Sequence, residues 1–163
     1  MRSLLIVFHS ATGGTRQMAE AALAGALAEA GVATRLVHAA AAGAADVLAA
    51  DGYVFAAPEN LASLAGVMKD FFDRCYYPVL GRVEGRPYAS LVCAGSDGQG
   101  AVRQMARIAT GWRLREVAAA VVVCTRAQTA EAITAPKVIG AADLGRCREL
   151  GGALAAGLAL GVF

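Results

Sequence analysis

The sequence predicts an α/β fold, a doubly wound parallel sheet with helices on both faces. Three observations carry this. Apolar, strand-like runs alternate with helical stretches along the whole chain. The first run, Leu4-Leu5-Ile6-Val7-Phe8, shows no polar alternation, as a strand buried on both faces requires. Loops rich in Gly, Ser, Thr, Asn or Asp follow the first, third and fourth runs, which gathers them at the carboxyl edge of a parallel sheet.

The first strand, residues 4–8, leads through Ser10-Ala11-Thr12-Gly13-Gly14-Thr15 into a helix over about 15–30, ended by Gly31 at a C′ position. Residues 33–38 read as a second strand and 44–50 as a short helix. Asp51-Gly52 turns the chain into a third strand, 53–57, which Pro58 is expected to stop. A helix over about 64–76 is expected to end before Pro78. Residues 88–93 form a fourth strand, 99–110 a helix, 117–124 a fifth strand and 143–160 a final helix. Residues 128–142, with Pro136 and Gly140, form the longest expected loop. Met68, Phe71, Phe72 and Cys75 follow helical spacing and read as a core stripe.

The segment Ser10–Thr15 is the most informative local feature. At a helix N-terminus, unpaired backbone N–H groups and the macrodipole favour an anion. Ser10, Thr12 and Thr15 add hydroxyl donors, and Gly13 and Gly14 let the backbone close around a ligand. No Lys or Arg precedes Arg16, so the loop suits one phosphate held mainly by neutral donors, as in a mononucleotide. A P-loop would continue Gly-Lys-Ser/Thr, whereas this loop continues Thr15-Arg16-Gln17, and the GxGxxG spacing of a dinucleotide fingerprint is absent. The same residues also fit a capped helix start that binds nothing. The second loop runs Pro58-Glu59-Asn60-Leu61-Ala62-Ser63-Leu64-Ala65-Gly66, and the third Ala94-Gly95-Ser96-Asp97-Gly98-Gln99-Gly100-Ala101. Ser63 and Asp97 are candidate helix caps.

Composition narrows the function classes. The chain of 163 residues, expected to be a single domain over 1–163, is 57% apolar and 17% charged, with a formal net charge of +2. Basic residues are scattered, which argues against nucleic acid. Cys75, Cys93, Cys124 and Cys147 form no CxxC pair, so neither a metal site nor a disulfide framework is expected. No signal-peptide pattern and no membrane span is expected, and cytoplasmic residence follows as the expectation.

With these residues in view, the chain resembles the flavodoxin-like superfamily. Ser10-Ala11-Thr12-Gly13-Gly14-Thr15 is similar to the FMN-phosphate pattern Ser/Thr-x-Thr-Gly-x-Thr of flavodoxins. Pro58, Glu59, Ser63, Gly66, Lys69 and Asp73 resemble a pattern of NADPH-dependent FMN reductases and WrbA-type quinone reductases. The resemblance implies a five-stranded sheet in the order 2-1-3-4-5. FMN would sit at the switch point, its phosphate on Ser10, Ala11, Thr12, Gly13, Gly14 and Thr15. Its ring would lie between Pro58, Glu59, Asn60, Leu61, Ala62 and Ser63 on one side and Gly95, Ser96, Asp97 and Gly98 on the other. Backbone N–H groups around residues 59–62 and 95–98 are expected to stabilise the reduced ring.

The resemblance implies an oxidoreductase that passes hydride or electrons from NAD(P)H through flavin to a quinone, flavin or similar small acceptor. It implies no dedicated catalytic side chain and a homo-oligomer, with a dimer as the expectation. A one-electron carrier flavodoxin, or a non-catalytic binding module on the same fold, are the alternatives. Neither ring loop contains Phe, Tyr or Trp and the chain is near neutral, both departures from acidic carrier flavodoxins. Arg16, Arg103 and Arg126 are candidates for a 2′-phosphate contact. No Cys-x5-Arg loop follows the first strand, unlike low-molecular-weight phosphatases.

Overall fold

The fold is described from a computed structural model covering residues 1–163. The strands are β1 (Arg2–Phe8), β2 (Val32–His38), β3 (Gly52–Asn60), β4 (Ser63–Leu64), β5 (Pro87–Ala94), β6 (Arg115–Glu116) and β7 (Val121–Cys124). The helices are α1 (Gly14–Ala26), α2 (Ala44–Ala49), α3 (Gly66–Val79), α4 (Gln99–Gly111), α5 (Ala130–Thr134) and α6 (Ala141–Leu160). The main sheet is parallel in the order β2-β1-β3-β5, with β6 and β7 both pairing the far edge of β5. Counting β6 and β7 as one interrupted strand, this is the predicted 2-1-3-4-5 order.

Alternation along β1 sorts the core into two layers. Leu4, Ile6 and Phe8 face α1 and α6, where they meet Met18, Ala22, Leu150 and Leu154. Leu5 and Val7 face the other side, with Tyr53, Phe55, Phe71, Phe72, Met105 and Trp112. Trp112 lies 5.3 Å from Phe72 and is a core residue. The Met68, Phe71, Phe72 and Cys75 stripe is buried, as its spacing predicts. On the first face α1 and α6 pack almost backbone to backbone: a Cβ on Gly25 would strike the Arg148 carbonyl, and one on Gly151 the Ala22 carbonyl. No helix is long and apolar enough to cross a membrane.

The structure corrects several predicted boundaries. Helix α1 ends at Ala26, and residues 27–31 turn through Ala28 N–H to Gly25 O and Glu29 N–H to Ala26 O. The early stop lets Val32 enter the sheet opposite Arg2. Gly31 is not a left-handed cap. Pro58 does not stop β3. It lies opposite Cys93 near the carboxyl end, where its missing N–H costs little, and its carbonyl accepts from Ala65 N–H at 3.2 Å. Helix α3 runs through Pro78, in its last turn, to Val79, so Tyr77 also lies within the helix. The fifth strand is broken between Glu116 and Val121.

Candidate functional site

The carboxyl ends of β1, β3, β5 and β7 meet at one cavity of ≈390 Å³, on the seam where the chain winds in opposite directions from β1 and β3. This size lies within the range of about 300–1,000 Å³ common to ligand clefts.

The first wall is the turn between β1 and α1. Ser10, Ala11, Thr12, Gly14 and Thr15 line the cavity. Ser10 Oγ accepts from Gly13 N–H at 3.1 Å, and Gly13 takes a left-handed φ of 93°. The turn is thereby closed by its own side chain, and Gly13 N–H is taken. The next N–H groups, of Gly14, Thr15 and Arg16, belong to the open first turn of α1 and have no acceptor within the protein. Thr15 is almost fully buried, yet lines the cavity. Gly14 is fixed by close approach: a Cβ there would stand 2.7 Å from Cys93 Sγ.

The second wall is the end of β3. Pro58, Glu59 and Asn60 line the cavity, then Leu61 and Ala62 turn the chain into β4. Both turn residues have positive φ, 51° and 61°, the pattern of a type I′ hairpin. Ordinary L-residues are strained there, so the hairpin must be held from outside. Gln104 Oε1 on α4 accepts from Ser63 Oγ at 2.8 Å and from Leu64 N–H at 2.7 Å. Ser63 therefore ties the hairpin to α4 and does not cap α3, whose N-cap is Ala65.

The third wall is the end of β5, with Cys93, Ala94 and Gly95. Asp97 does not cap α4. Glu59 does so from across the site, accepting from Gly98 N–H and Ala101 N–H, each at 3.0 Å. The carboxylate is thus aimed at a helix N-terminus, which favours negative charge. This removes Gly98 N–H from the donors expected to serve a ring. Burial pushes the Cys93 thiol up, opposed by the Lys137 ammonium, so it is neutral at pH 7.

The fourth wall was not visible in the motifs. Thr125 and Ala127 follow directly on the fifth strand, and Ile133, Thr134 and Lys137 come from residues 128–142, read only as a long loop. This segment leaves β7, is held to β5 by Thr125 N–H to Ala94 O and Arg126 N–H to Gly95 O, forms α5 capped by Thr129, and returns to the first wall. Its signals in the sequence, Thr129 as an N-cap and Pro136 past a short helix, mark a structured turn but not its destination.

Of the predicted site residues, Ser10, Ala11, Thr12, Gly14, Thr15, Pro58, Glu59, Asn60 and Gly95 share the cavity lining. Gly13, Leu61, Ala62, Ser63, Ser96, Asp97 and Gly98 shape the adjoining turns without lining it. Leu61 is fully exposed at the hairpin tip. Arg16 stacks over Phe8 at 5.0 Å and faces Glu20, and Arg103 and Arg126 are also outside the lining. His9 sits beside the site, its Nδ1 3.2 Å from His38 Nε2, with its pKa lowered by burial and by His38.

The family model for NADPH-dependent FMN reductases matches residues 38–129, more than half of the chain. The chain belongs to this family. The match takes in the second and third walls and stops short of the phosphate-like turn. A flavodoxin of Aquifex aeolicus is 33% identical over 100 residues, 61% of this chain and 54% of that protein, so the alignment spans about half the relative's length. Among solved structures, a flavodoxin from the domain Archaea superposes with a TM-score of 0.77 at 17% identity, covering 96% of this chain and 98% of the other. A WrbA-like flavodoxin from Agrobacterium tumefaciens gives 0.72 at 17% identity, covering 96% of each. The rubredoxin oxygen:oxidoreductase of Desulfovibrio gigas gives 0.77 at 14% identity, with 99% of this chain on 37% of that one. These likenesses establish the flavodoxin-like fold.

Proposed function

We propose that the chain binds FMN in this cavity and acts as an oxidoreductase, taking hydride or electrons from NAD(P)H and delivering them to a quinone, flavin or similar small acceptor. The observation that carries the reading is the convergence of an open helix N-terminus with two pinned backbone walls in one cavity, within a member of the FMN reductase family. The residues fit the cofactor. The unpaired N–H groups of Gly14, Thr15 and Arg16, with the Thr12 and Thr15 hydroxyls, would hold the phosphate. The backbone of residues 58–60 and of Ala94-Gly95 would hold the flat ring. Flavin, when bound, supplies the redox chemistry. The protein's part is orientation and access. The hairpin at Leu61 and Ala62 is held to α4 through Glu59 and Gln104, which keeps the walls at fixed separation. With no aromatic side chain lining the cavity, one ring face is left for nicotinamide and then for acceptor.

The reading includes a homo-oligomer, supported by Tyr77 and Leu80 exposed at the end of α3, and light scattering after size exclusion measures it. A second reading, an electron carrier, is favoured by the flavodoxin relative. Titration with FMN followed by NADH and NADPH turnover on a quinone tests the first. Saturable binding near one equivalent with turnover is expected, and FMN reduced in a single two-electron wave. Two separated one-electron waves without NAD(P)H turnover would replace it with the carrier.

A further inference from the structure

We infer that Lys137 is the cationic contact for the ligand's phosphate, and that through it the site selects a 5′-phosphorylated flavin over one without phosphate. The inference rests on the FMN reading above. The turn between β1 and α1 holds no Lys or Arg before Arg16, whose guanidinium lies over Phe8. The fold brings a cation to that turn from more than a hundred residues away. Lys137 N–H donates to Thr12 O at 2.8 Å. Its Cβ stands so near Gly14 that a Cβ there would lie 3.4 Å from it.

The approach is built. Gln17, in the first turns of α1, donates through Nε2 to Gly13 O at 2.9 Å and to Lys137 O at 2.7 Å, and its Oε1 accepts from Ile139 N–H at 3.0 Å. One side chain thus staples the 125–139 strap to the turn between β1 and α1 at Lys137 and just beyond it, at Ile139.

Lys137 is the one cationic side chain lining the cavity. The one carboxylate lining it, Glu59, has its oxygens engaged by Gly98 and Ala101 N–H, so the lysine has no anionic partner there. The ammonium donates to Ile133 O at 2.9 Å and Ala135 O at 2.6 Å. An ammonium has three donors, so one N–H is left for an anion. Holding the side chain on two carbonyls also removes much of the entropy a free lysine would lose on binding. Its field already reaches Cys93, on the floor beside Gly14.

The test titrates wild type, Lys137→Gln and Lys137→Arg with FMN and, separately, with riboflavin, at low and high salt. Wild type should bind FMN more tightly than riboflavin. Lys137→Gln should weaken FMN by about tenfold or more, the scale of one charge-assisted hydrogen bond, and leave riboflavin unchanged. Lys137→Arg should keep most of the preference, and added salt should weaken FMN less in Lys137→Gln than in wild type. Equal loss of both flavins in Lys137→Gln would mean that the lysine only holds the strap, and no loss of either would mean that it touches no ligand. Both results overturn the inference while leaving the FMN reading standing. Wild type that binds neither flavin would overturn that reading and the inference with it.

Discussion

Glu59 is the residue whose removal should do most damage at a distance. Its two carboxylate oxygens serve the first turn of α4, which no local side chain caps. Glu59→Gln leaves one acceptor oxygen for two amides and deletes the charge facing the helix N-terminus. Loss of a cap hydrogen bond costs about 0.5–2 kcal/mol. Loss of a favourable charge at a helix terminus adds about 0.3–1 kcal/mol. Because Glu59 is half-buried, the middle of these ranges applies, about 1.5–2 kcal/mol in all. For a chain of this size that lowers Tm by about 3–8 °C. Thermal and urea melts of the ligand-free protein measure it directly. Glu59→Ala should cost more, about 2–3 kcal/mol, because both amides lose their acceptor. Flavin affinity should fall with it, since the same carboxylate joins the second and third walls. A Glu59→Gln protein that melts with wild type would refute the reasoning, by showing that water or the Asp97 side chain caps α4 equally well.

Gln17→Ala removes the three staple contacts and should destabilise by about 1–3 kcal/mol, with limited proteolysis cutting sooner within residues 128–138. Ala62→Gly should stabilise by about 0.5–1 kcal/mol, read as a higher urea midpoint, because glycine relieves the strain of φ 61°. Gly14→Ala should lose about 1–3 kcal/mol through overpacking against Cys93. His9 has a folded pKa below its ordinary 6.5, so as pH falls through 6.5 the unfolded chain takes up its proton before the folded one does. Its stability contribution is whole above that value and declines as pH falls toward the folded pKa. Urea midpoints at a series of pH values should drop over that window and drop less in His9→Asn.

Local order was legible in the sequence wherever the local pattern was also the tertiary pattern. The unbroken apolar run of β1 marked a strand buried on both faces, and the burial of Ile6 and Val7 follows from it. The Met68, Phe71, Phe72 and Cys75 stripe predicted a buried helical face for the same reason. Prolines misled where context made them harmless: Pro58 lies at the carboxyl end of β3 and Pro78 in the last turn of α3, so neither breaks its element. Ser63 and Asp97 looked like caps because hydroxyl and carboxylate residues commonly cap the helix that follows them. In the fold, those amides and hydroxyls are met by Gln104 and Glu59 from other elements.

By itself, the sequence determined the αβ alternation and, through the handedness of its crossovers, a doubly wound sheet, while the strand order came with the family resemblance and residues 10–15 were legible as a turn that opens a helix. These depend on periodicity and on short-range backbone chemistry, which a chain carries locally. Only the tertiary structure decided which side chains stand around that turn. Lys137 reaches it through a backbone hydrogen bond to Thr12 and a staple from Gln17, contacts that span at least 120 residues and leave no periodic trace. That the Glu59 carboxylate serves a helix was likewise settled by where α4 begins, because a carboxylate turns to unpaired amides within reach and those amides come from another part of the chain.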